Sequence, residues 1–371
     1  MDFSRYGEPA SEWSSYVLAH PIIDQPWTRP SEEETLAEMH IAGNNARAAH
    51  DETTLKAHHL EGKSSSQDMS VEARDGSSIP LRIYTPNDTP SPSKGRPIYV
   101  YFHGGGFLHG SIDTERSVCA SIAKKMNIMV VHICTRHVHE AKHPIPHHDA
   151  LDATKWLLEN ASTYGGDVGN VVISGVSSGA NLAAYVAQQF SASAAATHEK
   201  DSAARLKGQV LMVPWLIQPG IFPYDQFVEK SKTSLIQCAD ALGLSTERLD
   251  WLSSLLEAED IADPTINPAL VDDKILSSLP KTAILVAGAD PLRDDGLLYA
   301  TRLEKAGVKT KVHVFSGMPH HFAVYQLPHP HVAYELRSAT VFQKRLLESI
   351  EWAFKDGDEY VGNGWVIEEI S

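Results

Sequence analysis

The chain has 371 residues, 42% of them hydrophobic and 21% charged, a composition that excludes disorder as the default state and leaves room for a large core. Its formal net charge is −15, from 32 basic and 47 acidic side chains, and with no long basic run this argues against nucleic acid or an anionic membrane surface as the main partner. The three cysteines, Cys119, Cys134 and Cys238, are widely spaced and form no C-x-x-C pair, so neither a disulfide framework nor a zinc finger is expected.

At the N-terminus no basic stretch precedes an apolar one, and no run of about 18 apolar residues occurs anywhere, so a cytoplasmic protein without a membrane span is expected. The sequons at Asn87 and Asn160 are then chance matches. Residues 1–67 are polar and broken by Pro21, Pro26 and Pro30. Ser31–Glu32–Glu33–Glu34 reads as a helix start with acids in its first turn, and the segment as a whole as helical pieces contributing to a cap. From residue 68 strands begin. Val71–Ala73 and Leu81–Tyr84 alternate around Asp75–Gly76–Ser77 as an antiparallel hairpin. Pro86 to Pro97 is a surface loop.

Pro97–Phe102 is nearly continuous in apolar residues, as a strand buried on both faces should be. A helix follows around Glu115–Ala123, a strand at Ile128–Ile133, an amphipathic helix at Asp149–Leu158 and a strand at Asn170–Ser174. The helix Ala180–Phe190 and the strand Gly208–Pro214 complete residues 68–214 as the first part of an α/β core. Residues 215–268 contain helix-like pieces, Ala239–Gly243 and Arg248–Leu252, but no strand, and read as a cap insertion. Residues 269–371 hold the second part of the core. Its strands Lys281–Gly288 and Lys311–Phe315 are expected to be the last two, with a helix around Gly296–Leu303 between them and a closing helix at Val341–Phe354. The tail from Lys355 carries no readable pattern. This alternation implies an α/β fold with a mainly parallel central sheet flanked by helices.

Gly175–Val176–Ser177–Ser178–Gly179 joins a strand to a helix. Glycines on both sides permit a turn too sharp for side chains, and a serine at that corner is lifted above the sheet edge as a nucleophile. A serine hydroxyl needs a base, and the base needs a partner that fixes its tautomer. Asp290 follows one late strand and His320 the next; Asp294 or Asp295 could replace the former, and His321 the latter. Attack on an ester creates an oxyanion that needs amide donors already aimed at it. The turn His103–Gly104–Gly105–Gly106–Phe107 follows a buried strand, so Gly104 and Gly105, with the amide of Ser178, are the expected donors.

These motifs resemble the hormone-sensitive-lipase-like family of α/β-hydrolases over roughly residues 98–354. The resemblance rests on the glycine turn after His103, on Gly175-x-Ser177-x-Gly179, on Asp290–Pro291–Leu292 and on His320-x-Phe322. It implies a carboxylic-ester hydrolase with a helical cap, with Ser177, Asp290 and His320 as its triad and Gly104, Gly105 and Ser178 as oxyanion donors. The chain departs from the family at Val176, Ser178 and Ala180, where Asp, Ala and Gly are usual. It also has Thr135–Arg136–His137–Val138–His139–Glu140 in place of Tyr-Arg-Leu-Ala-Pro-Glu. Substrate choice is where these departures should tell.

The reading is therefore a serine carboxylesterase working through an acyl-enzyme, with no cofactor. Its substrate is a small-molecule ester, with short to medium acyl chains or a compact apolar natural product. Phe107, Trp215, His321 and Phe322 are the expected pocket residues. The histidines at 137, 139, 143, 147 and 148 lie across a loop without an evident cysteine or acidic cage, so no metal is expected. The same triad could instead serve acyl transfer or lactone formation. A ligand receptor on this scaffold is disfavoured because no triad member is missing. A homodimer remains open.

Overall fold

The computed structural model describes the chain except for residues 21–26, 32, 88, 198–205, 325–335, 358–363 and 370–371. Pro21, Pro26, Glu32 and Asp88 therefore lie outside the described residues.

The apolar runs form strands β1 (Ser64–Glu72), β2 (Ser78–Pro86), β3 (Arg96–Phe102), β4 (Met129–Ile133), β5 (Gly166–Val176), β6 (Leu206–Met212), β7 (Lys281–Ala287), β8 (Thr310–Phe315) and β9 (Trp365–Glu368). They pair into one sheet in the order β1-β2-β4-β3-β5-β6-β7-β8-β9. The hairpin β1/β2 and the pair β2/β4 are antiparallel, and every other neighbouring pair is parallel.

Two features extend beyond the sequence reading. β1 starts at Ser64, within the stretch expected to be helical, because most of it is polar and exposed at the sheet edge. Only its end alternates in a readable way. The second feature is β9, which adds a parallel strand beyond β8, in the tail where no strand is expected from the sequence. Four half-buried residues on a sheet edge are too few to set up a period.

Counting helices longer than two turns, α1 spans Ser11–Ala19, α2 Leu36–Ala57, α3 Arg116–Met126, α4 Ile145–Asn160, α5 Ser178–Thr197, α6 Thr246–Ser254, α7 Arg293–Lys305 and α8 Arg337–Phe354. The cap of α2 is Thr35 rather than Ser31. Its hydroxyl accepts from Glu38 N–H, while the Glu38 carboxylate accepts from Thr35 N–H at 2.9 Å, closing a capping box. Ala239–Gly243 forms turns rather than a helix, and Gly243 there has a left-handed φ of 85°, which favours chain reversal.

The core lies in two layers, one on each face of the sheet. Ile98, Val100 and Phe102 of β3 pack with residues of α4, α5 and α7, including Leu157, Ala183 and Leu297. Tyr99 and Tyr101, pointing the other way, pack with Ile122 of α3 and Phe342, Leu346 and Ile350 of α8. Burial on both faces explains why these strands read as continuous apolar runs rather than as alternation. Because the central strands are parallel, the turns after β3, β5, β7 and β8 all emerge at one edge, where open α/β sheets carry their sites.

Candidate active site

The turn after β5 is as sharp as the glycines imply. Ser177 has φ 55°, a left-handed conformation that costs a non-glycine residue about 1–2 kcal/mol. A Cβ at Gly175 would lie 2.1 Å from Gly179 O, and one at Gly179 would lie 2.3 Å from Phe102 O. No side chain fits at either position. The corner is fixed from below, since Ser177 N–H donates to Met212 O at 2.9 Å and Ala180 N–H to Ser177 O at 3.0 Å. The serine is therefore held rigidly, buried at 4% exposure.

His320 bridges the other two residues. Its Nε2 is 3.0 Å from Ser177 Oγ and its Nδ1 is 2.7 Å from Asp290 Oδ2. A carboxylate accepts only, so Nδ1 carries the proton and Nε2 presents its lone pair to the hydroxyl. Asp290 is fixed by accepting Leu292 N–H at 2.9 Å through its other oxygen.

The neighbouring acids are committed elsewhere. Asp294 pairs with Arg293 at 2.7 Å and accepts Ser234 N–H at 2.7 Å. Asp295 accepts Leu216 and Ile217 N–H, each at 2.9 Å, and burial pushes its carboxyl well above the usual range. The His321 ring stands edge-on to His320, 4.2 Å between centroids. Loss of water is the main cause that holds its imidazole well below the usual value.

The glycine turn lies against the serine corner. A Cβ on Gly104 would be 2.9 Å from Val176 O and 3.3 Å from Ser177 Cβ, and one on Gly105, where φ is 140°, would be 2.0 Å from His109 O. Among the described residues, the amides of Gly104, Gly105 and Ser178 have no acceptor. Ser178, which departs from the family pattern, ties the two turns together: its Oγ accepts Phe107 N–H at 3.3 Å. Phe107 itself has φ 61°, and its ring stands 5.6 Å from Trp215. Phe322, by contrast, is fully buried between Phe315 and Phe342, at 5.2 and 5.4 Å, on the core side of the His320 loop.

Sequence reasoning missed the buttress behind the glycine turn. Arg47 of α2 donates to Gly104 O at 3.0 Å and to Glu115 at 2.8 Å, and Glu115 also accepts from Tyr101 OH. Nothing local in the sequence links α2 to a turn 57 positions away. Asn181 was missed as well. Its amide donates to Trp215 O at 2.9 Å and Ile266 O at 3.0 Å, and its Oδ1 is 2.9 Å from His147 Nε2.

The loop histidines scatter. His143 meets Asp263 at 2.9 Å and His147 meets Asn181, whereas His137 joins His103 and Cys134, with ligand-type atoms all within 4.8 Å of one another. That cysteine was invisible as a neighbour because it precedes the loop and turns inward from the end of β4.

Comparison with known proteins places the chain in a family. A family model described as "alpha/beta hydrolase fold" matches residues 99–324. Esterase LipI of Mycobacterium tuberculosis is 33% identical over 256 residues, 68% of this chain and 74% of that one. Ethyl acetate hydrolase of Pseudomonas putida is 30% identical over 257 residues, 69% of this chain and 74% of its own length. Among solved structures, vibralactone cyclase superposes with a TM-score of 0.79 at 24% identity, covering 94% of this chain and 96% of that one, a likeness of fold.

Proposed function

Because the chain belongs to the α/β-hydrolase family and is a carboxylesterase-type hydrolase, we propose that Ser177, His320 and Asp290 carry its reaction. The observation that supports this is the double contact of His320, one ring nitrogen on the hydroxyl and the other on the carboxylate.

His320 Nε2 accepts the Oγ proton as Ser177 attacks the ester carbonyl carbon. Asp290 keeps the ring in the required tautomer and stabilises the imidazolium. The tetrahedral oxyanion accepts hydrogen bonds from the amides of Gly104, Gly105 and Ser178, which need no rearrangement to receive it. The proton then passes from Nε2 to the departing alkoxide oxygen, the C–O bond breaks and the alcohol leaves. Water attacks the acyl-enzyme, giving its proton to His320. The acid departs as that proton returns to Ser177 Oγ.

The part of residues 1–67 that precedes β1 and residues 215–268 act together as a cap over this site. In support, Val228 N–H donates to Met1 O at 2.9 Å and Gln237 to Ser4 O at 3.0 Å, and Leu252 of α6 crowds against Gly106. The substrate is an ester with a short to medium acyl chain or a compact apolar body, received beside Phe107 and Trp215 with His321 at its edge. A relative 30% identical is named for ethyl acetate, an ester of that small class.

The test is Ser177→Ala assayed on p-nitrophenyl acetate, butyrate and laurate. Turnover should fall by about 10⁴-fold or more on every ester with unchanged circular dichroism. The intact enzyme should favour the two shorter chains. Retained turnover in the variant would refute the assignment, and a preference for laurate would refute the substrate class.

A further inference from the structure

His103, Cys134 and His137 lie behind the glycine turn, away from the reacting atoms. One ligand-type atom from each lies within 4.8 Å of the others, and all three side chains are buried. The Nδ1–H of His103 donates to Gly104 O at 3.1 Å, so its Nε2 carries the lone pair. That nitrogen has no hydrogen-bond partner among the described residues, and neither has His137 Nε2. A buried polar atom left dry costs about 1–3 kcal/mol, and here two of them belong to side chains clustered with one thiol.

The two rings lie nearly parallel, 12° apart, with centroids 5.3 Å from each other. Imidazoles sharing one tetrahedral ion, with metal–nitrogen bonds of about 2.0–2.1 Å, have centroids roughly 5 Å apart. We propose that His103 Nε2, His137 Nε2 and Cys134 Sγ form a binding site for one soft divalent cation of the zinc class, with a fourth position left to water.

Two imidazoles and a thiolate select such an ion over magnesium or calcium, which prefer oxygen. In a tetrahedral site the ligand atoms are about 3.3–3.8 Å apart, so the trio contracts by roughly 1 Å on binding. Burial above all holds both imidazoles well below their usual value, and the neutral ring is the state a metal requires. Burial pushes the Cys134 thiol up to about 12, so the ion itself must displace the proton. The S–H bond breaks, a sulfur–metal bond forms and the proton goes to solvent, with no change of oxidation state. Arg47 is the fixed cation nearest His103, and Glu115 neutralises it at 2.8 Å. The half-buried His40 and His139 lie beside this cluster, their rings 4.0 Å apart, with His40 also 4.8 Å from His137. His137 stands where the family motif carries leucine, so the site arises from this chain's own departure.

The test uses the full chain, stripped of metal and titrated with cobalt(II) chloride. About one cobalt per chain should bind, with a sulfur-to-cobalt charge-transfer absorption that zinc chloride abolishes. Cys134→Ser should remove that absorption, and both Cys134→Ser and His137→Gln should weaken retention at least tenfold while metal-free ester turnover persists. No charge-transfer absorption in the parent chain would overturn the proposal. So would an absorption that survives in Cys134→Ser, since Cys119 or Cys238 would then be its source. If Cys134→Ser does not fold, His137→Gln decides alone: unchanged cobalt affinity there also overturns the site. None of the overturning outcomes depends on the ester reaction.

Discussion

Arg47 offers a sharp test of how the glycine turn is held. Its guanidinium donates to Gly104 O at 3.0 Å and to the Glu115 carboxylate at 2.8 Å, with side chains 28% and 13% exposed. Replacing it by methionine keeps most of the stem packing but leaves both acceptors without their charged donor. A hydrogen bond to a charged group contributes about 1.5–3 kcal/mol. Glu115 is partly compensated, because it retains Tyr101 OH and can take a proton, its carboxyl being already raised by burial and held down mainly by Arg47. The expected loss of stability is therefore about 2–4 kcal/mol, read from urea unfolding. The activity effect follows from geometry. Removing an oxyanion donor outright costs about 10²–10³ in kcat; a turn that is loosened rather than deleted should lose roughly tenfold. The loss should appear in kcat, with KM for p-nitrophenyl butyrate changed less than twofold, because Arg47 touches neither acyl group nor alcohol. Arg47→Lys, which keeps the charge but cannot reach both acceptors at once, should recover part of each effect. A methionine variant with parental kcat would refute the positioning role, whatever its stability.

Three further outcomes are expected. Asp290→Asn should lower kcat by about 10⁴-fold, since an amide at this position lets His320 settle in the wrong tautomer; Asp295→Asn, whose carboxylate serves Leu216 and Ile217 N–H, should not match it. Gly104→Ala should cost about 10²–10³ in kcat, because its Cβ would stand 2.9 Å from Val176 O; steady-state kinetics beside a melting curve separates this from misfolding. Burial holds His147 down to about 3. Below pH 6.5 the unfolded chain takes up a proton that the folded chain refuses, so the contribution of His147 is complete above 6.5 and is lost as pH falls toward 3. His147→Gln, whose amide can still donate to Asn181, should flatten the dependence of unfolding free energy on pH by up to about 1.4 kcal/mol per unit in that window. An unchanged slope would show that His147 is not the group responsible.

The parts of the site legible in the sequence are those built from local chemistry. Gly175 and Gly179 flank a corner that admits no Cβ, and a buried strand leads straight into Gly104. Such requirements are written in consecutive residues. What stayed hidden depends on tertiary approach. Asp290, Asp294 and Asp295 are equivalent acids along the chain, and only the fold gives Asp294 to Arg293 and Asp295 to two backbone amides. Arg47 looks like any solvated helix residue until α2 is laid against the glycine turn. Phe322 reads as an aromatic beside the base, yet it points into the layer beneath α8. β1 and β9 were obscured for a common reason: edge strands bury too little to impose a two-residue period. Cys134 and His137 stand close along the chain, but only the fold brings both beside His103.

The approach to His320 is stitched from both sides by distant stretches of chain. Gly317 N–H donates to Tyr6 O at 2.8 Å, Ala10 N–H donates to Gly317 O at 3.1 Å, and Ser316 N–H donates to Glu368 O at 3.2 Å. The loop that bears the base is therefore fastened by residues 6–10 and by residue 368, and not by its own sequence neighbours alone. A nick or bulky fusion near either stretch would leave a folded sheet with a silent centre.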